Sequence, residues 1–94
     1  MLVELSQFDW DEGNKAKILK RMSVEVAESA FLGEPQVFFD EAHSGEEPRW
    51  FLMNVVDKRA VALIFTVRSN KIRIVSARYM HAREVKKYDK KIKT

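Results

Sequence analysis

Three apolar stretches lie between residues 48 and 77, and the gaps between them are too short for anything but reversal. PRWFLMNVVD (48–57) runs through DKRA (57–60) into VALIFTV (61–67), and SN (69–70) leads into KIRIVSA (71–77). A parallel pairing needs a crossover of a dozen or more residues, whereas antiparallel strands join through two. These segments therefore predict an antiparallel meander. VALIFTV, apolar throughout, suits its central strand, and Pro48 is tolerable at a strand start. QVFFD (36–40) supplies a fourth strand, set off by the polar loop EAHSGEE.

The chain before the strands reads as helical. QFDW (7–10) is a short extended opener. Asp9 and Glu12 stand in capping-box spacing before a helix over 11–22. Ile18, Leu19 and Met22 supply its buried stripe, with Lys17, Lys20 and Arg21 elsewhere around it. Ser23 caps a second helix, VEVAESAFL, whose Val24, Ala27, Ala30 and Phe31 recur at core spacing. Gly33 and Pro35 stop it. A terminal helix spans 79–92, with Ala82, Val85 and Ile92 facing the sheet. The expected fold is a single α+β domain over residues 1–94. It has two N-terminal helices, a four-stranded antiparallel sheet with one face partly open, and a C-terminal helix.

Composition removes several functions. With no cysteine, there is no disulfide framework, zinc-thiolate site or thiol nucleophile. His43 and His81 lack metal-ligand spacing, so no metal or cofactor is expected. No apolar run approaches a membrane span, and no charged leader precedes an apolar block. The expectation is a cytoplasmic protein without a membrane partner. Charge is segregated: residues 1–70 hold 8 Lys/Arg against 12 Asp/Glu, and residues 71–94 hold 9 against 2. Three readings fit: a face that attracts phosphates, a solvated basic helix, or a surface for an acidic protein.

Strand alternation narrows the candidates within KIRIVSAR. Ile72, Ile74 and Ser76 share one face; Lys71, Arg73, Val75 and Ala77 share the other. Arg73 then points to the less covered face, and Arg78 stands at the strand end. A guanidinium suits planar, two-pronged phosphate recognition; the alternative is an ion pair with an upstream acid. His43, in the polar loop, has the side chain best suited to proton transfer near neutrality. Phe31, Phe38, Phe39, Phe51 and Phe65 are assigned to the core, and Trp10 and Tyr79 to the exposed rings. Ser44 and Ser76 have no His/Asp constellation, and neither GEP nor SGEE forms a phosphate cradle.

Taken together, F-x-W-D (Phe8, Trp10, Asp11), HSGEEPRW (43–50), IRIVSAR (72–78) and R-E-x-x-x-Y (Arg83, Glu84, Tyr88) resemble the BrnT family. These are small ribonuclease toxins of type II toxin–antitoxin pairs, within the RelE-like superfamily. The resemblance runs nearly the length of the chain and is most specific over 72–88. It implies a RelE-like α+β fold and RNA cleavage that restrains translation. It also implies a cognate antitoxin, usually a ribbon-helix-helix protein, that neutralises the toxin and contacts operator DNA on its behalf. The family's basic cluster maps onto Arg73 and Arg78, and onto His43 and Arg49, with Lys20 an approximate match. Three departures stand out. KRMSV lacks the family's His-Gly after the lysine, Tyr79 replaces a second arginine, and Pro48 interrupts a charged run.

The chemistry so implied is metal-independent attack of a ribose 2′-hydroxyl on the adjacent phosphate. Arg73 and Arg78 would stabilise the phosphate, His43 would move the proton, and Lys20 and Arg49 would assist positioning. Tyr79, Arg83, Lys86 and Lys87 would contact RNA, the lysines by salt-sensitive steering. A non-catalytic nucleic-acid-binding module and a protein-interaction domain with a basic face fit the charge pattern equally well.

Overall fold

The computed structural model describes residues 7–42 and 44–92, the last five in backbone only. In chain order the elements are α1 (Glu12–Leu19), α2 (Val24–Ser29), β1 (Gln36–Phe39), β2 (Trp50–Val56), β3 (Arg59–Arg68), β4 (Lys71–Tyr79) and α3 (Ala82–Ile92). The strands form one antiparallel sheet in the order β1-β2-β3-β4, the meander that the short turns predict. Both tight turns carry consecutive left-handed residues. Asp57 and Lys58 have φ of 50° and 68°; Ser69 and Asn70 have 50° and 63°. Two positive φ values in succession give a twist that matches the flanking strands, so β3 runs unbroken from one turn to the next. No helix among the described residues is long and apolar enough to cross a membrane.

One face of the sheet is covered. Leu52, Val61, Leu63, Phe65, Ile72, Ile74 and Ala77 pack against Ile18 and Met22 of the α1 segment and Ala27, Ala30 and Phe31 around α2. Aromatic rings cross this layer edge to face: Phe8 on Phe31 at 5.4 Å, and Phe31 on Phe65 at 5.0 Å. Asn54 ties α2 down, its amide donating to the Ala30 and Leu32 carbonyls that the helix end leaves free. α2 ends at Ser29 with Ala30 as its C-cap, short of the stop expected at Gly33, and Gly33, at φ 74°, lies in the turn that follows.

The helix at α1 is shorter than 11–22, and its cap differs from the one expected. Asp11, not Asp9, is the N-cap. Its carboxylate accepts the Asn14 N–H while the Asn14 side chain accepts the Asp11 N–H. A capping box needs an acceptor at the third helical position, and Asn14 supplies it in place of Gln or Glu. The Asn14 amide then donates to the carbonyls of Asp9 and Ile74. Asn14 is only 7% exposed, so one polar side chain fastens α1 to β4. The same edge of β4 pairs with residues 7–9: Ile72 N–H bonds the Gln7 carbonyl and Asp9 N–H bonds the Ile72 carbonyl. Leu19, assigned to the buried stripe, is 54% exposed. Asn14, Ile18 and Met22 recur every four residues and share a face; Leu19 lies a quarter-turn away.

Further boundaries shift for local reasons. β2 begins at Trp50, not Pro48, because side chains take the preceding polar groups: Ser44 Oγ accepts the Arg49 N–H and Thr66 Oγ1 donates to the Pro48 carbonyl. α3 begins at Ala82, since Tyr79 remains paired opposite Val61 and the Met80 N–H bonds the Ala60 carbonyl. Ala82, expected to face the sheet, is exposed, while Val85 is half-buried. The side chain of Ile92 lies outside the described residues. Phe38 and Phe39 sit exposed on the edge strand β1, Phe51 faces away from the helices, and Trp10 packs against the core with its Nε1 donating to Glu28.

The Asn14 attachment yields a stability prediction. Asn14→Ala leaves the Asp11 N–H and two buried carbonyls without their partner, a loss of about 1–3 kcal/mol. Urea unfolding of both proteins measures it, and an unchanged midpoint would show that α1 is held by its apolar contacts alone.

Candidate functional site

A single residue insertion in β4 determines which side chains share the open face. Phe65 pairs with Ile74 and Ile64 pairs with Ser76, so Val75 falls between them as the extra residue of a β-bulge. Beyond a bulge the alternation changes sides. Ala77 therefore enters the core opposite Leu63, and Ser76 leaves it, the reverse of the strict-alternation reading. Arg78, opposite Ala62, joins Arg73, opposite Thr66, on the face away from the core. Tyr79 goes the other way. It stands opposite Val61, packs against the core, and holds the Arg59 guanidinium 3.5 Å above its ring.

α1 borders this face along β4. Its buried stripe is Asn14, Ile18 and Met22, and the adjoining helical face presents Lys17, Lys20 and Arg21, spaced i, i+3 and i+4. Between this face and the sheet lies a cleft of about 360 Å³. Its walls are Lys17, Lys20, Arg21 and Arg78, and its floor includes Phe51, Ile64 and Ser76; among the described residues no carboxylate lines it. Four cations thus stand over a floor that is mostly apolar.

A second, more open cleft continues the same face and shares Lys17. Arg49, Arg68 and Arg73 line it together with Asp11, Glu12 and Glu47. Here the cations are matched by acids. Arg73, its side chain 18% exposed, donates to Asp11 at 2.7 Å and lies 3.6 Å from Asp9. The Asn14 N–H and then Arg73 hold the Asp11 carboxyl below its ordinary range. Arg68 grips Glu47 through two hydrogen bonds and lowers its pKa as well. Arg73 thus makes the ion pair with upstream acids that the sequence left as the alternative to phosphate binding.

Arg78 is also engaged. Its two terminal nitrogens meet Glu84 of α3 at 2.6 and 2.7 Å in a fork-to-fork pair. Glu84 additionally accepts the His81 N–H. Arg78 foremost, then that N–H, pulls its pKa from 4.5 down to about 2. Arg83, Lys86 and Lys87 are exposed on α3. His43 lies outside the described residues; its neighbour Ser44 clasps the loop, donating to the Asp40 carbonyl at 2.6 Å. Among the described residues no three His, Asp or Glu side chains gather as a metal-ligand set.

The structure therefore brings Lys20 and Arg78 to one cleft, and Arg49 and Arg73 to its neighbour. It sets Tyr79 apart on the opposite face. Lys17, Arg21, Phe51 and Ser76 were missed as site residues. The i, i+3, i+4 spacing of the three α1 cations was a readable signal. The side taken by Ser76 was not, because nothing in IRIVSAR announces a bulge.

A family model described as ribonuclease toxin, BrnT, of type II toxin–antitoxin systems matches residues 10–84. No curated protein matches the chain, and no solved structure does. The match spans α1 through the start of α3 and so includes both clefts.

The Arg78–Glu84 pair has a defined pH signature. Glu84 titrates near 2 when folded and near 4.5 when free. Its contribution is therefore complete above about 4.5 and is lost as pH falls toward 2. An NMR titration of the Glu84 carboxyl should give a midpoint near 2, moving upward in Arg78→Ala. A midpoint of 4.5 in the unaltered protein would show that the pair does not form.

Proposed function

The chain belongs to the BrnT family of type II toxin–antitoxin ribonuclease toxins, and from that premise we propose that it is a metal-independent endoribonuclease that cleaves RNA and so inhibits translation. The observation that carries this reading is the cationic cleft, with Lys17, Lys20, Arg21 and Arg78 gathered over one patch of the sheet.

Internal cleavage of RNA without a metal uses the ribose 2′-hydroxyl as nucleophile. The oxygen attacks the adjacent phosphorus, a five-coordinate phosphorane forms, and the 5′-oxygen leaves. Negative charge accumulates on the non-bridging oxygens, and preorganised cations lower that barrier most. Arg78 is suited to this role. It stands beside Ser76 at the floor of the cleft, and its planar fork matches two phosphate oxygens. Engaging phosphate requires it to exchange Glu84 for the substrate, the two oxygens of a planar carboxylate for two of a tetrahedral phosphate. Lys20, with Lys17 and Arg21, holds the same or the next phosphate. Arg49 and Arg73, in the adjoining cleft, extend the backbone track, with Asp11 fixing the direction of the Arg73 guanidinium. His43 is assigned the proton transfers, as base toward the 2′-hydroxyl or acid toward the 5′-oxygen. Arg83, Lys86 and Lys87 steer RNA from α3 without entering the chemistry.

A toxin of a type II system has an antitoxin partner. We assign this one to the ribbon-helix-helix class, acting on the cytoplasmic toxin by neutralisation and reaching operator DNA itself.

Cleavage of a defined RNA in excess EDTA tests the catalytic reading. Arg78→Ala should lower the rate on the order of 100-fold, the usual loss for a transition-state contact. His43→Ala and Lys20→Ala should also be slow, while Lys86→Ala should respond mainly through salt dependence. Full activity of Arg78→Ala would remove it from the mechanism, and loss of all cleavage in EDTA would end the metal-free assignment. Expression in cells tests the biological role. Growth should arrest, and co-expression of an adjacent ribbon-helix-helix frame should restore it; continued growth under full expression would contradict a toxin.

A further inference from the structure

The open face holds more than cations. Phe38 on β1 is in register with Phe51 on β2, Phe51 with Ile64 on β3, and Ile64 with Ser76 on β4. One row of side chains thus crosses all four strands and ends beneath the cationic wall of α1. Phe38 and Phe51 lie 6.4 Å apart between ring centroids, tilted by 37°. Phe38 is 36% exposed, and Phe51 is half-buried on the floor of the cationic cleft. From Ser76 to Phe51 is two strand spacings, about 10 Å.

An apolar row alone does not identify its occupant; the charge at its end does. The occupant carries phosphate-like negative charge at one point and flat apolar groups to the side. Duplex RNA keeps its base faces stacked inside and offers its backbone and base edges. An acidic peptide offers its charge as carboxylates, and a ring only where its sequence supplies one, whereas every nucleotide carries both a phosphate and a base. Single-stranded RNA offers both, within the length of a nucleotide or two.

We propose that this open face is a platform for single-stranded RNA, in which the Phe51 ring stacks a base beside the phosphate held by Lys20 and Arg78. Phe38 receives the neighbouring base, so the strand runs across the β-strands toward the sheet edge. The proposal rests on the ribonuclease reading and names the form of substrate that this site accepts. Every base has a π-face, so the platform selects single strands over duplexes and is tolerant of sequence.

The test separates binding from chemistry. A mixed-sequence 2′-O-methyl oligonucleotide lacks the attacking hydroxyl and is measured by fluorescence anisotropy, as a single strand and annealed to its complement. The wild type should prefer the single strand. Phe51→Leu, which keeps apolar bulk and removes the ring face, should weaken binding roughly 5- to 150-fold, the range for loss of one base stack. Phe51→Tyr should bind as the wild type does. Phe38→Leu, at an exposed position, should show a smaller loss and provides a reading if Phe51→Leu fails to fold. Equal binding by both leucine variants, an equal loss in Phe51→Tyr, or duplex bound as tightly as single strand would overturn the platform. Cleavage of unmodified RNA is scored in parallel. Active wild type with unaffected leucine variants refutes the platform alone, whereas ring-dependent binding with no cleavage refutes the ribonuclease reading alone.

Discussion

One extra residue in β4 governs the arrangement of the open face. In an unbroken strand, Arg73 and Arg78 are an odd number of positions apart and face opposite ways. Arg78 would then point into the layer filled by Leu63, Phe65 and the helices, where an unpaired charge is strongly disfavoured. The bulge at Val75 removes that conflict. It turns Ala77 inward, where a small side chain suits the contact with α1, and it places Ser76 and Arg78 beside Phe51 and Ile64. Beside it, Asn14 binds the Ile74 carbonyl on the outer edge of the strand. Strand and helix are thereby joined at the point where the face changes character.

That junction sets the electrostatics. The helical face holding Lys17, Lys20 and Arg21 adjoins the stripe buried at Asn14, Ile18 and Met22, so fixing the stripe aims the cations over the sheet. The two clefts then differ in their acids. Near the start of α1, Asp11 serves as cap and as partner of Arg73, and Glu47 engages Arg68. Near the end of α1 there is no carboxylate in the wall, and Arg78 reaches outward to Glu84. Exposed pairs of this kind contribute little to stability. Their consequence is orientation: each guanidinium is held in one direction by a carboxylate, which a phosphate presenting the same two-oxygen edge can replace.

The family match spans both clefts and does not choose between their residues. The sequence singled out Arg73 and Arg78 together. In the fold they share a face but line separate clefts, and Lys17, Lys20 and Arg21 share the cleft of Arg78. Tyr79, which occupies the place of an expected second arginine, cannot stand in for one here. It belongs to the core layer and carries Arg59 on its ring.

The meander was legible in the chain, because connections as short as DKRA (57–60) and SN (69–70) permit only antiparallel pairing; the fold tightens the first to Asp57–Lys58 and starts β3 at Arg59. The stop expected at Gly33 was not legible there, since α2 ends at Ser29 under an Ala30 cap, but the Ser23 cap, the burial of Ile72 and Ile74, and the resemblance carried by IRIVSAR were. Each follows from neighbours in the chain or from a period of two or of 3.6. The tertiary structure decided the rest. Which acid caps α1 depended on Asn14 finding the Ile74 carbonyl 60 residues away. Whether Ser76 or Ala77 is buried depended on a register shift against β3, a property of two strands that one strand's alternation does not encode. Whether Arg73 and Arg78 are free or paired depended on the carboxylates that folding brings within 3 Å, one contributed from before α1 and one from α3.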